Sequence, residues 1–321
     1  MAEPSGKGPH KAMDFFGAKT APLTTRRSKV QKDLLADPEA YSPPGRSLED
    51  LIPSILKGSD IKELADAWAA AVSGGRSVIL GMGAHPVKVG LSRLIIDLMN
   101  RGFVNALAAG GALAVHDIEM AMQGHTSEEV AEGLPEGAFG MAEETGRAYW
   151  DAVALAGREG CGLGQAVGRH IAEGAFPHRD LSLLAAACAR GIPATLHVAI
   201  GADIVHMHPG HDGAALGRAA FRDFQVFSEA IQGLDGGGVY LNLGSAVIMP
   251  EVFLKAVNIA RNLKGKPHGI VTANLDMIQH YRPRENVVQR PTIPGGRGFQ
   301  ITGHHEILFP LLYTMVRDRL S

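Results

Sequence analysis

Cysteine is nearly absent from this chain: only Cys161 and Cys188 occur, in no CxxC arrangement. A disulfide framework and a cysteine-ligated zinc are unsupported on that count, and both thiols are expected to be reduced and buried. Charge of one sign is not in excess either. Lys and Arg number 31 against 33 Asp and Glu, a formal charge of -2, and no basic run with interleaved aromatics occurs, which argues against nucleic acid as a partner. Gly, Asp or Arg interrupt each apolar stretch well short of the roughly 20 residues that a membrane span needs. The N-terminus has no apolar core of a signal peptide, so a soluble, cytoplasmic protein with no membrane partner is expected. Aromatics are sparse at 6%, whereas glycine is abundant at 40 of 321 residues. That balance describes tight turns and close backbone approaches, as in α/β folds that bind cofactors.

Residues 1 to 46 hold many Lys, Arg and Pro and little apolar periodicity, and read as an extended basic arm. Phe15, Phe16, Leu34 and Leu35 are its candidate contacts with a neighbouring surface or subunit. Residues 47 to 321 read as a single α/β domain. Ser47, with Glu49 and Asp50 in its first turn, is expected to open a helix through Leu48, Leu51, Ile52, Ile55 and Leu56, with Pro53 opposing it. A second helix carries Ile61, Leu64, Ala65, Trp68 and Val72 on one face. Strands are expected at 77–80, 104–108, 194–200, 239–243 and 269–273. Helices are expected at 89–100, from about 116, and at 140–157, 182–190, 214–231, 250–263 and 306–319. Strands rich in β-branched residues alternating with amphipathic helices specify a doubly wound, mostly parallel sheet with helices on both faces, Rossmann-type. Ligands in such sheets bind at the carboxyl ends of the strands.

Polar or glycine-rich clusters follow five of these strands: Gly81-Met-Gly83 with His85, Ala109-Gly110-Gly111 running on to His116, Asp117 and Glu119, Gly201 to His211, Gly244-Ser245-Ala246, and Thr272 to Asp276. They are expected to converge on one crevice. Gly81 and Gly83 lack the third glycine of a dinucleotide fingerprint, Pro86 standing in its place. Gly110 and Gly111 precede a helix whose N-terminal amides would present themselves to a pyrophosphate. Asp117 would then either bind a ribose hydroxyl or support the helix dipole. Candidate cofactor contacts from these clusters are Gly81, Gly83, Gly110, Gly111, Asp117, Glu119, Gly244, Ser245 and Asn274. His206 and His208 are the candidate catalytic imidazoles, expected on one side of an extended segment, with proton transfer favoured over metal binding. A metal-dependent hydrolase or lyase on His206, His208 and His304 or His305, with Asp203 or Glu306 as base, is the competing chemistry. Lys255 reads as a solvated helix lysine.

The order Ala109-Gly-Gly-Ala, Gly191-Ile-Pro, Gly201-Ala-Asp203 with His206, Gly244-Ser-Ala-Val, Thr272-Ala-Asn, Arg282-Pro-Arg-Glu285 and Phe309-Pro-Leu-Leu312 resembles the deoxyhypusine synthase family, from about Ser77 to the C-terminus. The stretches Asn105-Ala-Leu and Ala114-Val-His-Asp-Ile-Glu119 also look like the NAD-binding domain of archaeal-type ornithine cyclodeaminases. The resemblance implies a doubly wound NAD-binding fold, a homotetramer with shared sites, and a small amine or amino-acid substrate. It implies that Ala109, Gly110, Gly111, Glu119, Asp203 and Asp276 contact NAD, that His206 lies beside the nicotinamide and the amine, and that Glu285 is the acid on the substrate side. The family's imine-forming lysine, in a Trp-Gly-Lys run, has no counterpart in Asn286-Val-Val-Gln-Arg-Pro291, and no lysine follows Lys266. Arginine stays protonated and is a poor nucleophile. An NAD-dependent transferase, lyase or oxidoreductase that is not a deoxyhypusine synthase is therefore expected, with a non-catalytic NAD-binding module as a further alternative.

Overall fold

The structure, a computed structural model, describes residues 13, 15–26, 28–32, 49, 52–293 and 295–321. In chain order the elements are β1 (Ser28–Gln31), α1 (Leu56–Ser73), β2 (Val78–Met82), α2 (His85–Lys88), α3 (Ser92–Asn100), β3 (Ala106–Gly110), α4 (Ala112–Gln123), β4 (His125–Glu128) and α5 (Val130–Gly133). They continue with α6 (Glu143–Glu159), α7 (Leu163–Glu173), α8 (Leu183–Ala189), β5 (Ala194–His197), α9 (Gly213–Ala230), β6 (Val239–Leu243), α10 (Ile248–Lys264), β7 (Val271–Asp276), α11 (Tyr281–Pro283), β8 (Arg297–Thr302) and α12 (His305–Leu320).

Six strands form one parallel sheet in the order β5-β3-β2-β6-β7-β8. Renumbered along the chain that is the 3-2-1-4-5-6 order of a doubly wound Rossmann sheet, as the alternation of strands and helices predicts. Successive side chains of a strand face opposite ways, so a sheet covered on both faces buries both sets. Val78, Leu80 and Met82 of β2 and Leu241 and Leu243 of β6 join the larger core, with Trp68 of α1, Ile118 of α4, Val167 of α7 and Phe309 of α12. Ile79 and Tyr240 point the other way, into a second core with Phe227 of α9 and Phe253 of α10.

The helix expected from Ser47 is not found where the chain is described. Residues 52–55 are non-helical and α1 begins at Leu56, while Ser47, Leu48, Asp50 and Leu51 fall outside the described residues. Among the elements that escaped the periodicity reading, α7 and β8 carry glycines at packed positions. In α7, Gly164 and Gly168 let the helix lie on backbone, where a Cβ would strike the Ala194 and Leu184 carbonyls. In β8, Gly298 fits against the Val288 carbonyl. The cysteines are free as expected, but half-buried rather than buried.

The described part of the arm is stitched to its own domain. Strand β1 pairs antiparallel with β4, Ser28 opposite Glu128, and Ala21 bridges Ala142. The Leu23 side chain is buried, and its amide donates to Glu144 at 2.6 Å. Phe15 and Phe16 lie against His211; Leu34 and Leu35 are outside the described residues. No helix among the described residues is long and apolar enough to cross a membrane.

Candidate functional site

The sheet order reverses between β2 and β6, so the crevice of a doubly wound fold opens where these two strands end. Gly83 donates to the Leu243 carbonyl at 3.1 Å, and a Cβ on it would strike the Gly244 carbonyl. Gly244 has φ +65°, a left-handed backbone suited to glycine. A Cβ there would lie 2.8 Å from Cε1 of His305. The two glycines thus bring three chain segments together at the switch point. Gly81 serves packing instead: a Cβ there would collide with the hydroxyl of Tyr240, whose ring stacks on Phe253.

Below the crevice the polar side chains are bonded to one another. Ser245 accepts the Met249 amide at 3.1 Å, at the start of α10. Asn242 donates to the Ser245 carbonyl at 2.9 Å and to Asn274 at 2.6 Å, and Asn274 donates to Gln279 at 2.7 Å. Asn274, fully buried, belongs to this ladder. Asp276, at the end of β7, is buried and acts electrostatically on His85.

At the end of β3 the structure reassigns the two acids of the Ala114–Glu119 stretch. Asp117 is fully buried and accepts from the Ser182 hydroxyl at 2.5 Å and from the Leu183 and Leu184 amides at 2.7 and 3.1 Å. It caps α8, and desolvation raises its pKa to about 6. Glu119 is also fully buried; it accepts from Thr145 at 3.1 Å, from Thr126, and from Arg26 of the arm. Protein donors thus engage both carboxylates, and Glu119 also lines the pocket described below. The amides of α4 are not bare either. Asp203, from the loop after β5, accepts from the Ala112 amide, and its carboxylate fills the place where Gly111 has no Cβ.

Asp203 itself stays incompletely satisfied. Its Oδ2 is buried with no hydrogen-bond partner, and desolvation raises its pKa to about 6. The chain after it is a 3-10 turn, Ile204–Met207, not an extended segment. His206 and His208 therefore diverge. His208 is buried over Gly146, and its Nε2 donates to the Gly140 carbonyl at 2.7 Å, which packs the loop on α6. His206 accepts the Gly201 amide on Nδ1 at 3.2 Å, leaving Nε2 buried and unpartnered. A ring nitrogen that accepts an N–H carries no proton, so neutral His206 holds its proton on Nε2, a donor without a partner among the described residues. Burial pushes its pKa down, favouring that neutral form.

A pocket of about 170 Å³ lies between α4 and the loop after β5, with Arg26, Lys88, His116, Ser127, Glu128 and Asp203 in its wall. Arg26 is held by Glu119 and Glu128. Lys88 has no ion-pair or hydrogen-bond partner among the described residues. It acts electrostatically on both His85 and His116, and so links the pocket to the switch point. Ser127 has φ 69°, unusual for a residue with a Cβ. Composition gave no sign of Lys88; its unpaired state is a tertiary fact.

Glu285 is placed apart from this pocket, in a π-helical turn, where it pairs with Arg284 at 3.0 Å. The stretch after it is similarly engaged: Asn286 donates to Glu251 at 2.8 Å. Lys255 is exposed and paired with Glu251, a solvated lysine as expected. Among the described residues no three His, Cys, Asp or Glu side chains come together as a metal-binding group.

No family model matches the chain, and no curated protein matches it in sequence. Solved structures do. A chain from Entamoeba histolytica assigned as a deoxyhypusine synthase has TM-score 0.55 at 10% identity, covering 85% of this chain and 94% of that one. The chain has the deoxyhypusine synthase-like fold. A LOR/SDH protein from Methanococcus maripaludis S2 has TM-score 0.51 at 16% identity, over 86% of this chain and 74% of its own. AgrE, solved as a ternary complex with ornithine and NAD+, has TM-score 0.51 at 15% identity over 81% of this chain. This chain spans about a third of AgrE, 33%. At these identities the likeness is one of fold.

Proposed function

We propose that the protein is an NAD-dependent enzyme that acts on a small amine or amino acid. The observation that carries this reading is the sheet order, which opens a crevice where β2 and β6 end and ranges Lys88, His85, Asp203 and His206 along the same carboxyl edge. The structures of shared fold support it, one of them holding ornithine and NAD+. The residues present fit such a cofactor. A Cβ on Gly110 or Gly201 would meet nothing within 4 Å, which leaves open surface beside the strand ends, and Lys88 offers an unpaired cation to a phosphate. Gly83, Gly110, Ser245, Lys88 and Asp276 would hold it, and when bound it supplies a hydride acceptor. His206 would donate from Nε2 to a polar group of the substrate, and Asp203 would meet its cationic end. Ala109 lies within β3, buried in the sheet, and acts as support. With no lysine after Lys266, butylamine transfer through an enzyme imine is not part of this proposal. A homo-oligomer, with a tetramer as its expected form, belongs to the same reading.

Calorimetric titration with NAD+ tests the cofactor. Saturable binding near micromolar, about -8 kcal/mol, is expected, and NADH absorbance on addition of L-ornithine, L-arginine or other small amines then identifies the substrate class. Absence of saturable binding ends this reading. Binding without turnover of any amine would instead favour the binding module.

A further inference from the structure

We infer that His85 and His305 form a proton-accepting pair at the switch point, with His85 taking a proton from a bound ammonium or hydroxyl group and His305 as its positioning residue. The inference deepens the proposed function and takes its substrate class from that reading. His305 opens α12, and its ring lies over Gly244, where β6 ends. Its Nε2 donates to the Leu275 carbonyl at 2.9 Å, near the end of β7. A carbonyl can only accept, so Nε2 carries the proton and Nδ1 of neutral His305 is a bare lone pair. That Nδ1 is buried and has no partner, in a side chain only 1% exposed. Here the neighbour is a second imidazole: His85, half-buried at the mouth of the β2 turn, meets the His305 ring edge-to-face with centroids 5.0 Å apart.

The proton arithmetic is simple. The N–H bond of a bound ammonium breaks, its electron pair stays on the ligand nitrogen, and the proton forms a new N–H bond on His85. The His305 ring, edge-to-face with His85, holds that imidazole in place. The groups acting on His85 are His305 and Glu306 from α12, Asp276 from β7 and Lys88 on its own helix. Burial pushes the His85 pKa down, which favours its neutral, proton-accepting form. This role falls to neither histidine of the 206–211 cluster: His206 has its bare nitrogen taken by the Gly201 amide, and His208 spends its protonated one on Gly140.

Nitrogen NMR of the full chain labelled with 15N-histidine reads both rings without a ligand. The expected result is His305 protonated on Nε2 alone, and a His85 midpoint below the free imidazole value that rises in His305→Gln. A His305 proton on Nδ1, or a His85 midpoint unmoved by His305→Gln, overturns the pair. Should that variant fail to fold by circular dichroism, His85→Gln gives the reciprocal reading: the His305 Nδ1 signal must change, and constancy overturns the pair. With NAD+ and L-ornithine as probes, His85→Gln is expected to bind NAD+ within about twofold of wild type and to lose about 100-fold or more in turnover; unchanged turnover also overturns it. Absence of NAD+ binding to the wild type sinks the cofactor reading, while the NMR titration still decides the proton pair.

Discussion

Asp117, Asp203 and Asp223 are one residue type put to one use in three places. Each reaches from elsewhere in the chain to cap a helix start: Asp117 at α8, Asp203 at α4 and Asp223 at α7. For two of them the helix begins after a glycine, Gly111 or Gly162, whose missing Cβ leaves room for the carboxylate. Asp223 accepts from Gly164 and Leu196, both at 2.8 Å. Replacing Asp117 by Ala strands two amides and a hydroxyl, so a loss of about 3 kcal/mol is expected in denaturant melts, with NAD+ affinity unchanged. Weakened NAD+ binding at full stability would restore the ribose role. Asp203→Asn is expected to do the reverse and alter ligand binding more than stability, because its Oδ2 has no protein partner. Desolvation raises the Asp223 pKa to about 7. A folded pKa above the unfolded one means that the folded state binds the extra proton, so its stabilising share is full below about pH 4 and is lost as pH rises through 7. The penalty of Asp223→Asn should therefore be largest near pH 4 and shrink toward pH 8.

Between elements, the arm and the helices meet through single buried contacts. Arg26 joins the arm to Glu119 of α4, a carboxylate with no exposure, and Thr126 and Thr145 complete that cluster. Arg26→Ala leaves the carboxylate with two hydroxyl donors and no counter-charge. A cost of about 3 kcal/mol is expected from thermal or urea unfolding, together with greater solvent access to the pocket that Arg26 helps to wall. A change below about 0.5 kcal/mol would show the pair to be loosely held, as at an exposed surface. Deletion of the arm should thus destabilise the domain, since it also removes buried Leu23. The loop after β5 docks on α6 through His208 and Gly146, where a Cβ would strike the imidazole. Gly146→Ala is expected to cost about 1 to 3 kcal/mol by overpacking and to displace His206 with the loop, so that activity falls along with the melting temperature.

Taken whole, the molecule opposes buried acids with buried imidazoles. Desolvation lowers the pKa of His116 to about 3 and of His197 to about 4. A depressed folded pKa means that the unfolded chain binds protons the native state refuses, so their stabilising share is present above pH 6.5 and lost as pH falls toward 4 and 3. Melts at pH 7 and pH 5 of His116→Gln beside wild type should show the variant's relative stability rising at the lower pH. A constant difference across that range would place the titration of His116 elsewhere. The hydroxyl of Thr126 receives the His116 proton at 2.7 Å and passes its own to Glu119. The pH response of the fold and the wall of the pocket are therefore one network.

By itself the sequence determined the layer order: the apolar run at 77–80 and the strand at 239–243, apolar but for Asn242, bury both faces, and amphipathic helices between them cover a parallel sheet. It also located the carboxyl edge, because glycine must stand where strands turn over one another, as at Gly83 and Gly244. Only the tertiary structure decided what each polar residue at that edge does. Asp117 and Asp203 look alike in the chain, yet one is spent on a distant helix and the other keeps an oxygen unpaired. His208 looked like a twin of His206 and is packing, while His305 looked like a helix cap and holds a bare, buried nitrogen. For Asp117, His208 and His305 the hydrogen-bond partners lie more than 20 residues away, and no local spacing encodes them. Local spacing fixes which way a side chain points along its own helix or strand; the donors it meets there come from the rest of the fold.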